Sequence, residues 1–403
     1  MPDGREQPRL RLGEGVASLD ALAWDACAGA DNPFLSHDFL TALEETGCVG
    51  RRTGWRPCPL VLEAADGALF GAVPLYLKSH SSGEYIFDHG WAEAYERAGG
   101  KYYPKLLAAV PFTPVPGPRL LIRPGPEAEI HRRHLAEGLV AAARQLGVSS
   151  LHVNFAEPTD AAALATAGLM QRVGTQYHWQ NRGYDSFEAF LGALSSRKRK
   201  MIRKEREAAR REGLRLQRLV GSDIKPQHWQ QFYRFYIDTS ERKWGRPYLN
   251  RPFFESIGRR MADRILLVMA DHDGTPVAGA LNLFGREAVY GRNWGSDGAF
   301  RILHFEACYY QAIDFAIENR LARVEAGAQG EHKIARGYMP VETRSLHFIA
   351  DPGFAAAVED FLKREARAVE QERAALAEYA PFRCENESEA KKTTKTQRLR
   401  NEE

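Results

Sequence analysis

Two stretches of this chain, GLMQRVGTQYHW at 168–179 and GYMPVETRSLHF at 337–348, align without a gap, with their Gly, Met and His-aromatic positions in register. Upstream, LVLEAADGALFGAVPLYL (60–77) answers LLVMADHDGTPVAGALNLF (266–284): an apolar strand, an Asp-Gly turn, and a Gly-Ala pair inside the return strand. Each half then runs into a long helix and a strand, VNF at 153–155 and VEA at 324–326. Three matches in one order point to a duplicated unit rather than to generic alternation of strands and helices. Duplication restricts the fold severely, because one pattern must satisfy both copies. The unit of hairpin, strand, helix, strand, helix and strand reads as α/β (α+β).

With 403 residues and 44% hydrophobic content, the chain can fill two cores. We expect domains at 1–183 and 184–382, followed by a disordered tail at 383–403, whose polar composition cannot build a core. Basic and acidic residues nearly cancel, 55 against 52, so no chain-wide polyanion partner such as DNA is indicated and any electrostatic message is local. Five cysteines, at 27, 48, 58, 308 and 384, show neither a CxxC pair nor metal-ligand spacing, which suits reduced thiols in a cytoplasm and no bound metal. No apolar leader and no run of 18 apolar residues occurs, so neither secretion nor a membrane span is expected.

In the first half, Ser36 caps a helix ending at Gly47, strands at 58–64 and 69–77 flank Asp66-Gly67, and a helix at 128–146 precedes strands at 150–155 and 177–180. Between them lies an aromatic insert with prolines at 104, 111, 114, 116 and 118, too proline-rich for one helix and too apolar for a linker. We read it as an ordered, ligand-facing segment. The second half opens with a basic helix at 195–212, a strand at 214–219 and an aromatic helix whose Phe232, Tyr233, Phe235 and Tyr236 read as core. Strands at 266–271 and 277–284, a Gly-rich loop, a helix at 304–319, strands at 322–326 and 345–349 and a helix at 354–379 complete it.

Several segments carry a family resemblance: NPFLSHDFL, PLYLKSHSSGEYIFDHGWAEAY, GGKYYPKLLAAVPFTPVPGPRLL, WGSDGAFRILHFEACYYQAIDFAIE and GAQGEHK. Together they resemble the FemAB-like branch of the GNAT N-acyltransferases across about 32–382. The resemblance implies two tandem GNAT-like domains with mixed, mostly antiparallel sheets flanked by helices, and transfer of an acyl or aminoacyl group to an amine, possible acceptors including a cell-wall peptide precursor. It leaves the donor open between acyl-CoA (acetyl-CoA) and aminoacyl-tRNA. The alternative is a non-catalytic module that recognises a cell-wall precursor or RNA.

Such chemistry needs a base for the ammonium, a polarised carbonyl and a proton for the leaving group. Candidate catalytic residues are Asp88 and His89 in the first copy and Glu325, Glu331, His332 and Lys333 in the second; Tyr309 and Tyr310, mid-helix, read as helix packing before they read as proton donors to the leaving group. Trp91, Tyr95, Tyr102, Tyr103, Lys105, Arg292, Asn293, Gln329 and Arg336 are candidates for binding substrate, in a cleft that combines the 88–105 insert with the second copy's loop. Arg292, Gly295 and Gly298 stand in R-x-x-G-x-x-G spacing, one residue off the pyrophosphate turn of acyl-CoA enzymes, with Asp297 opposing phosphate. The basic helix at 197–211 is a candidate tRNA surface, although Glu205, Glu207 and Glu212 interrupt its charge and pairing along the helix would leave it an ordinary solvated face.

Overall fold

Two hairpins with Asp-Gly turns frame the molecule. In the second half Ile265–His272 and Thr275–Phe284 stay paired along their whole length, with one bulge between Ala270 and Asp271, and Asp271 Oδ1 accepts from Gly274 N at 2.8 Å to close the turn. In the first half prolines interrupt the same hairpin: Trp55–Pro57 and Leu60–Glu63 return as Leu69–Val73 and Leu75–Lys78, parted at Pro74. A proline donates no backbone hydrogen bond, so the ladder breaks there and its outer part bends away. That outer part joins Arg9–Leu12 and Leu121–Ile122 in a four-stranded sheet. The expected unbroken strand at 69–77 is therefore two strands.

The computed structural model describes residues 8–383, apart from 244–246, 299, 301 and 328–329. The expected disordered tail lies outside these residues, except for Arg383. Among the described residues the remaining strands form one sheet of eleven. Its order is Leu214–Val220, Ile265–His272, Thr275–Phe284, Ala288–Ser296, Arg323–Glu325, Met170–Gln180, Met339–Ile349, Ser150–Val153, Lys105–Ala108, Leu75–Lys78 and Trp55–Pro57. Both halves repeat one pattern, antiparallel neighbours ending in one parallel pair: Lys105–Ala108 with Ser150–Val153, and Ala288–Ser296 with Arg323–Glu325. The halves then exchange their last strands. Met170–Gln180 completes the second half beside Arg323–Glu325, Met339–Ile349 completes the first beside Ser150–Val153, and the two exchanged strands pair from Met339↔His178 to His347↔Met170.

Exchange explains why these strands run to eleven residues where local pattern marks only 177–180 and 345–349. Helices Ala128–Gln145, Ser196–Arg211 and Pro226–Lys243 form as read, and Phe232, Phe235 and Tyr236 of the last are buried. Sequence reading omits Ala21–Ala28 and Arg251–Arg260, although Asp20 and Asn250 cap them by accepting from Ala23 N and Phe253 N. One apolar cluster joins Phe34, Trp55 and Phe112 of the first half to Phe232, Phe254 and Leu281 of the second. The halves are thus cemented by core packing as well as by the sheet.

Candidate active site

The parallel pair in the second half holds only through Ala288↔Arg323, Val289↔Val324 and Tyr290↔Glu325. Beyond it the chains part. Ala288–Ser296 stays with Thr275–Phe284, bulging after Leu281 so that Arg292 is an extra residue, while Ala326 donates to Tyr177 O at 3.1 Å in the exchanged strand. Glu325 stands at this divergence, 4% exposed. Its Oε1 accepts from Arg323 Nε at 2.9 Å; its Oε2 lies 3.8 Å from His178 Nε2 and has no hydrogen-bond donor among the described residues. Burial pushes the carboxyl up to about 7, against the pull of Arg323. Burial also holds His178 near 3, keeping it neutral.

Lys333 caps the end of the same strand. It sits in the short helical stretch Glu331–Arg336, entered and left through left-handed Gly330 and Gly337. Its ammonium donates to Ala326 O and, at 3.3 Å, to Gly327 O, with no carboxylate partner among the described residues. Burial lowers this amine to about 8. Nearby, Tyr309 OH and His332 Nε2 are 3.1 Å apart, the tyrosine presented by a π-turn, Glu306–Tyr310, that widens the helix spanning 303–318. Glu331 is exposed. Gln329 lies outside the described residues. Arg336 is occupied: it forks onto Glu205 (2.6 and 3.1 Å), touches Tyr310 OH at 3.1 Å and stacks on Phe305.

The first half carries a second polar cluster. Lys105 donates to Glu84 and Ser81 at 2.8 Å and to Asp88. Tyr102 OH donates to Asp88 Oδ2 at 2.7 Å, and His152 links to His347 of the exchanged strand, Nδ1 to Nδ1, at 2.7 Å. All these ionisable and imidazole groups are nearly inaccessible, and Lys78 lies over Trp55 beside Glu84. Two lysines thus balance two carboxylates. Coulombic attraction and a hydrogen bond from Lys105 hold Asp88 well below the usual carboxylate range although burial opposes them, whereas burial dominates at Glu84 and raises it to about 7.

The strand divergence differs between copies. In the first, the chain returns to fill it: Gly117 donates to Phe155 O and accepts from Glu157 N, both at 3.1 Å, and fully buried Arg119 donates to Asn154 O at 2.8 Å. In the second, among the described residues, Ala326 O, which matches Phe155 O in the repeat, accepts instead from the Lys333 ammonium.

The single cleft expected from the sequence is not formed. On the exchanged pair His347 faces Met170 and His178 faces Met339, so eight residues, about 27 Å of strand, separate the Asp88–Lys105 cluster from Glu325. Trp91 packs on His347, Tyr95 on Phe354, and Tyr103 OH lies 2.8 Å from Ser81 Oγ, so the insert's aromatics face the exchanged strand, the final helix and their own loop. His89 is exposed. Arg292 donates to Phe112 O at the seam, where the gap lined by Arg292, Asn293 and apolar side chains is only about 10 Å³. Gly295 is needed for packing, since a Cβ there would come within 2.3 Å of Phe235 backbone; Gly298, left-handed, lies beneath Arg242. Two larger cavities, each about 500 Å³, are lined by residues of the N-terminal edge strand and its neighbours, distinct from those of either cluster. Sequence reading missed Lys78, Glu84, Arg119, His152, His178 and His347, yet the two last occupy matching positions of the repeat.

This architecture is a mixed α/β fold in two halves that repeat one strand pattern. The chain matches the FemAB-like family, described as peptidoglycan biosynthesis/recognition, over residues 15–384, and belongs to it. Its fold is similar to the C-terminal domain of a "Putative Lysylphosphatidylglycerol Synthetase" from Agrobacterium fabrum (12% identity, 87% of this chain, 96% of that one, TM-score 0.54). FemX is comparable: 13% identity, 85% of this chain, 98% of that one, TM-score 0.53. A curated relative from Mycobacterium tuberculosis, "Putative 8-amino-7-oxononanoate synthase 2", is 27% identical over 155 residues. That match spans 38% of this chain and 19% of the relative.

Proposed function

We propose that the chain transfers an acyl or aminoacyl group from an activated carrier to an amine, and that the second copy holds the reaction centre. The observation carrying this reading is Glu325, a buried carboxyl raised to about 7 with one oxygen lacking a donor, placed where the parallel strands part. A base of that strength takes a proton from an ammonium near neutrality. The freed nitrogen attacks the carrier's carbonyl carbon. Lys333 donates to the developing oxyanion, exchanging Ala326 O for it. Collapse breaks the carbon–sulfur bond of a thioester or the carbon–oxygen bond of an aminoacyl ester, and the Tyr309–His332 pair returns a proton to the departing atom.

The filled divergence in the first copy supports assigning chemistry to the second and a bracing role to the Asp88–Lys105 network. Family membership supports a peptidoglycan precursor amine as acceptor. Acetyl-CoA, longer acyl-CoAs and aminoacyl-tRNA are the donor classes to compare, each with UDP-linked peptidoglycan precursors. Turnover with one donor, lost in Glu325→Gln while the fold is retained, is the expected result. Precursor binding without turnover for any donor favours the recognition module instead.

A further inference from the structure

The basic helix Ser196–Arg211 has a different surface from the one its sequence implies. The acidic residues that interrupt the positive charge do not neutralise it evenly, because the structure turns Glu205 inward, onto Arg336 and Tyr310. Arg206 also faces in, bonded to Glu306 and Asp314 at 3.1 and 2.6 Å. Ile202 and Ala209 complete the buried side. What remains outside is nearly all cation: Arg197, Lys200, Arg203, Lys204, Arg210 and Arg211 are exposed. At 100° per residue, Arg197, Lys200, Lys204 and Arg211 fall within about 60° of one another. Glu207 lies about 20° outside that arc, paired to Arg211, and Arg203 reaches Glu188; among the described residues Arg197, Lys200, Lys204 and Arg210 form no ion pair. The stripe runs about 21 Å along a convex helix.

An aromatic edge adjoins its start. Ser195 N donates to Pro381 O at 2.8 Å and Leu194 bridges Phe382, which places the end of the last helix beside the stripe. Tyr379 there is 71% exposed, and exposed Arg182 covers the Phe382 ring at 4.2 Å. A straight, convex row of cations ending in exposed aromatic and arginine side chains suits a planar array of anionic headgroups, with Tyr379 at the polar–apolar boundary. Single-stranded RNA instead follows a concave basic groove, and this row lies on the outer face of a helix. Among the described residues no helix is long and apolar enough to cross a membrane, so any association through this face is peripheral.

We infer that the outer face of the helix Ser196–Arg211, with Tyr379 at its edge, docks the protein on an anionic lipid surface.

The test is vesicle co-sedimentation of the full chain with phosphatidylcholine alone and with phosphatidylcholine containing 30% phosphatidylglycerol, at low and high salt. Arg197→Gln, Lys200→Gln and Lys204→Gln are combined in one variant, since none of the three forms an ion pair among the described residues. Each lost cation lowers partitioning about fivefold, so the triple variant binds about 100-fold more weakly with unchanged Tm. Tyr379→Ala lowers binding further at high salt, where the charge contribution is screened. The inference is overturned if the wild-type chain ignores phosphatidylglycerol, if the folded triple variant binds as well as wild type, or if bulk tRNA binds this face while anionic vesicles do not.

Discussion

At the scale of single residues, Glu325 sets opposing demands on stability and on chemistry. Its native carboxyl keeps a proton up to about pH 7, whereas an unfolded glutamate releases it near 4.5. Wild-type stability therefore falls as pH rises through that interval, and Glu325→Gln escapes the loss. We expect that variant to be more stable by roughly 1–3 kcal/mol at pH 8 and equal near pH 4, read by denaturant melts at both pH values. Turnover should drop about 10²–10⁴-fold, and the acid limb near pH 7 should vanish from kcat/KM. An unchanged acid limb would show that another group is the base. Lys333→Met should lower kcat with little change in KM, as expected for a contact strengthened in the transition state. Glu325 and Lys333 were legible in sequence because they flank a strand end with unusual polar density. His178 was not, because its neighbour Glu325 lies across an exchanged strand that no local spacing reveals.

Among the elements, close approaches decide what may vary. Helix Pro226–Lys243 lies directly on Gly295, so Gly295→Ala must displace Phe235 backbone. We expect a cost of about 2 kcal/mol or more by thermal or denaturant unfolding, and a change under 0.5 kcal/mol would mean that the helix moves freely. Glu205 fastens the basic helix to the turn carrying Lys333 through Arg336. Glu205→Ala strands that guanidinium, 6% exposed at the side chain, and should cost about 3 kcal/mol. Because Lys333 sits three residues earlier in the turn, kcat should fall as well. The helices themselves were readable from periodicity and caps. Their inward and outward faces were less so: Glu205 looks like a charge-neutralising neighbour until the fold supplies Arg336 from 131 residues away.

Across the whole molecule, the seam between halves is both polar and apolar. His347 reaches from the last strand of the second half to His152 of the first, and burial holds both imidazoles far below their usual range. Unfolded histidine takes up a proton near 6.5 and native His347 does not. Wild-type stability from this residue is present above that pH and is lost as pH falls below it. His347→Gln should be destabilised at pH 8, and the gap should narrow by about 1.4 kcal/mol for each pH unit below 6.5. A constant gap would show that His347 titrates normally. The repeat made the paired architecture legible, but a repeat says nothing about which copy completes which sheet. For the same reason the expected cleft failed, since two clusters that look adjacent in a symmetric picture lie at opposite ends of the exchanged strands.

Reciprocal lending of a final strand also sets an order on synthesis. A nascent first half leaves the ribosome with Ser150–Val153 still lacking its neighbour, which is encoded about 190 residues downstream, so its sheet closes only once Met339–Ile349 has emerged. Until then Met170–Gln180 lacks the longer of its two partners, and ribosome-bound chains halted before residue 339 should be cut by protease within the first half, while chains carried through residue 403 resist.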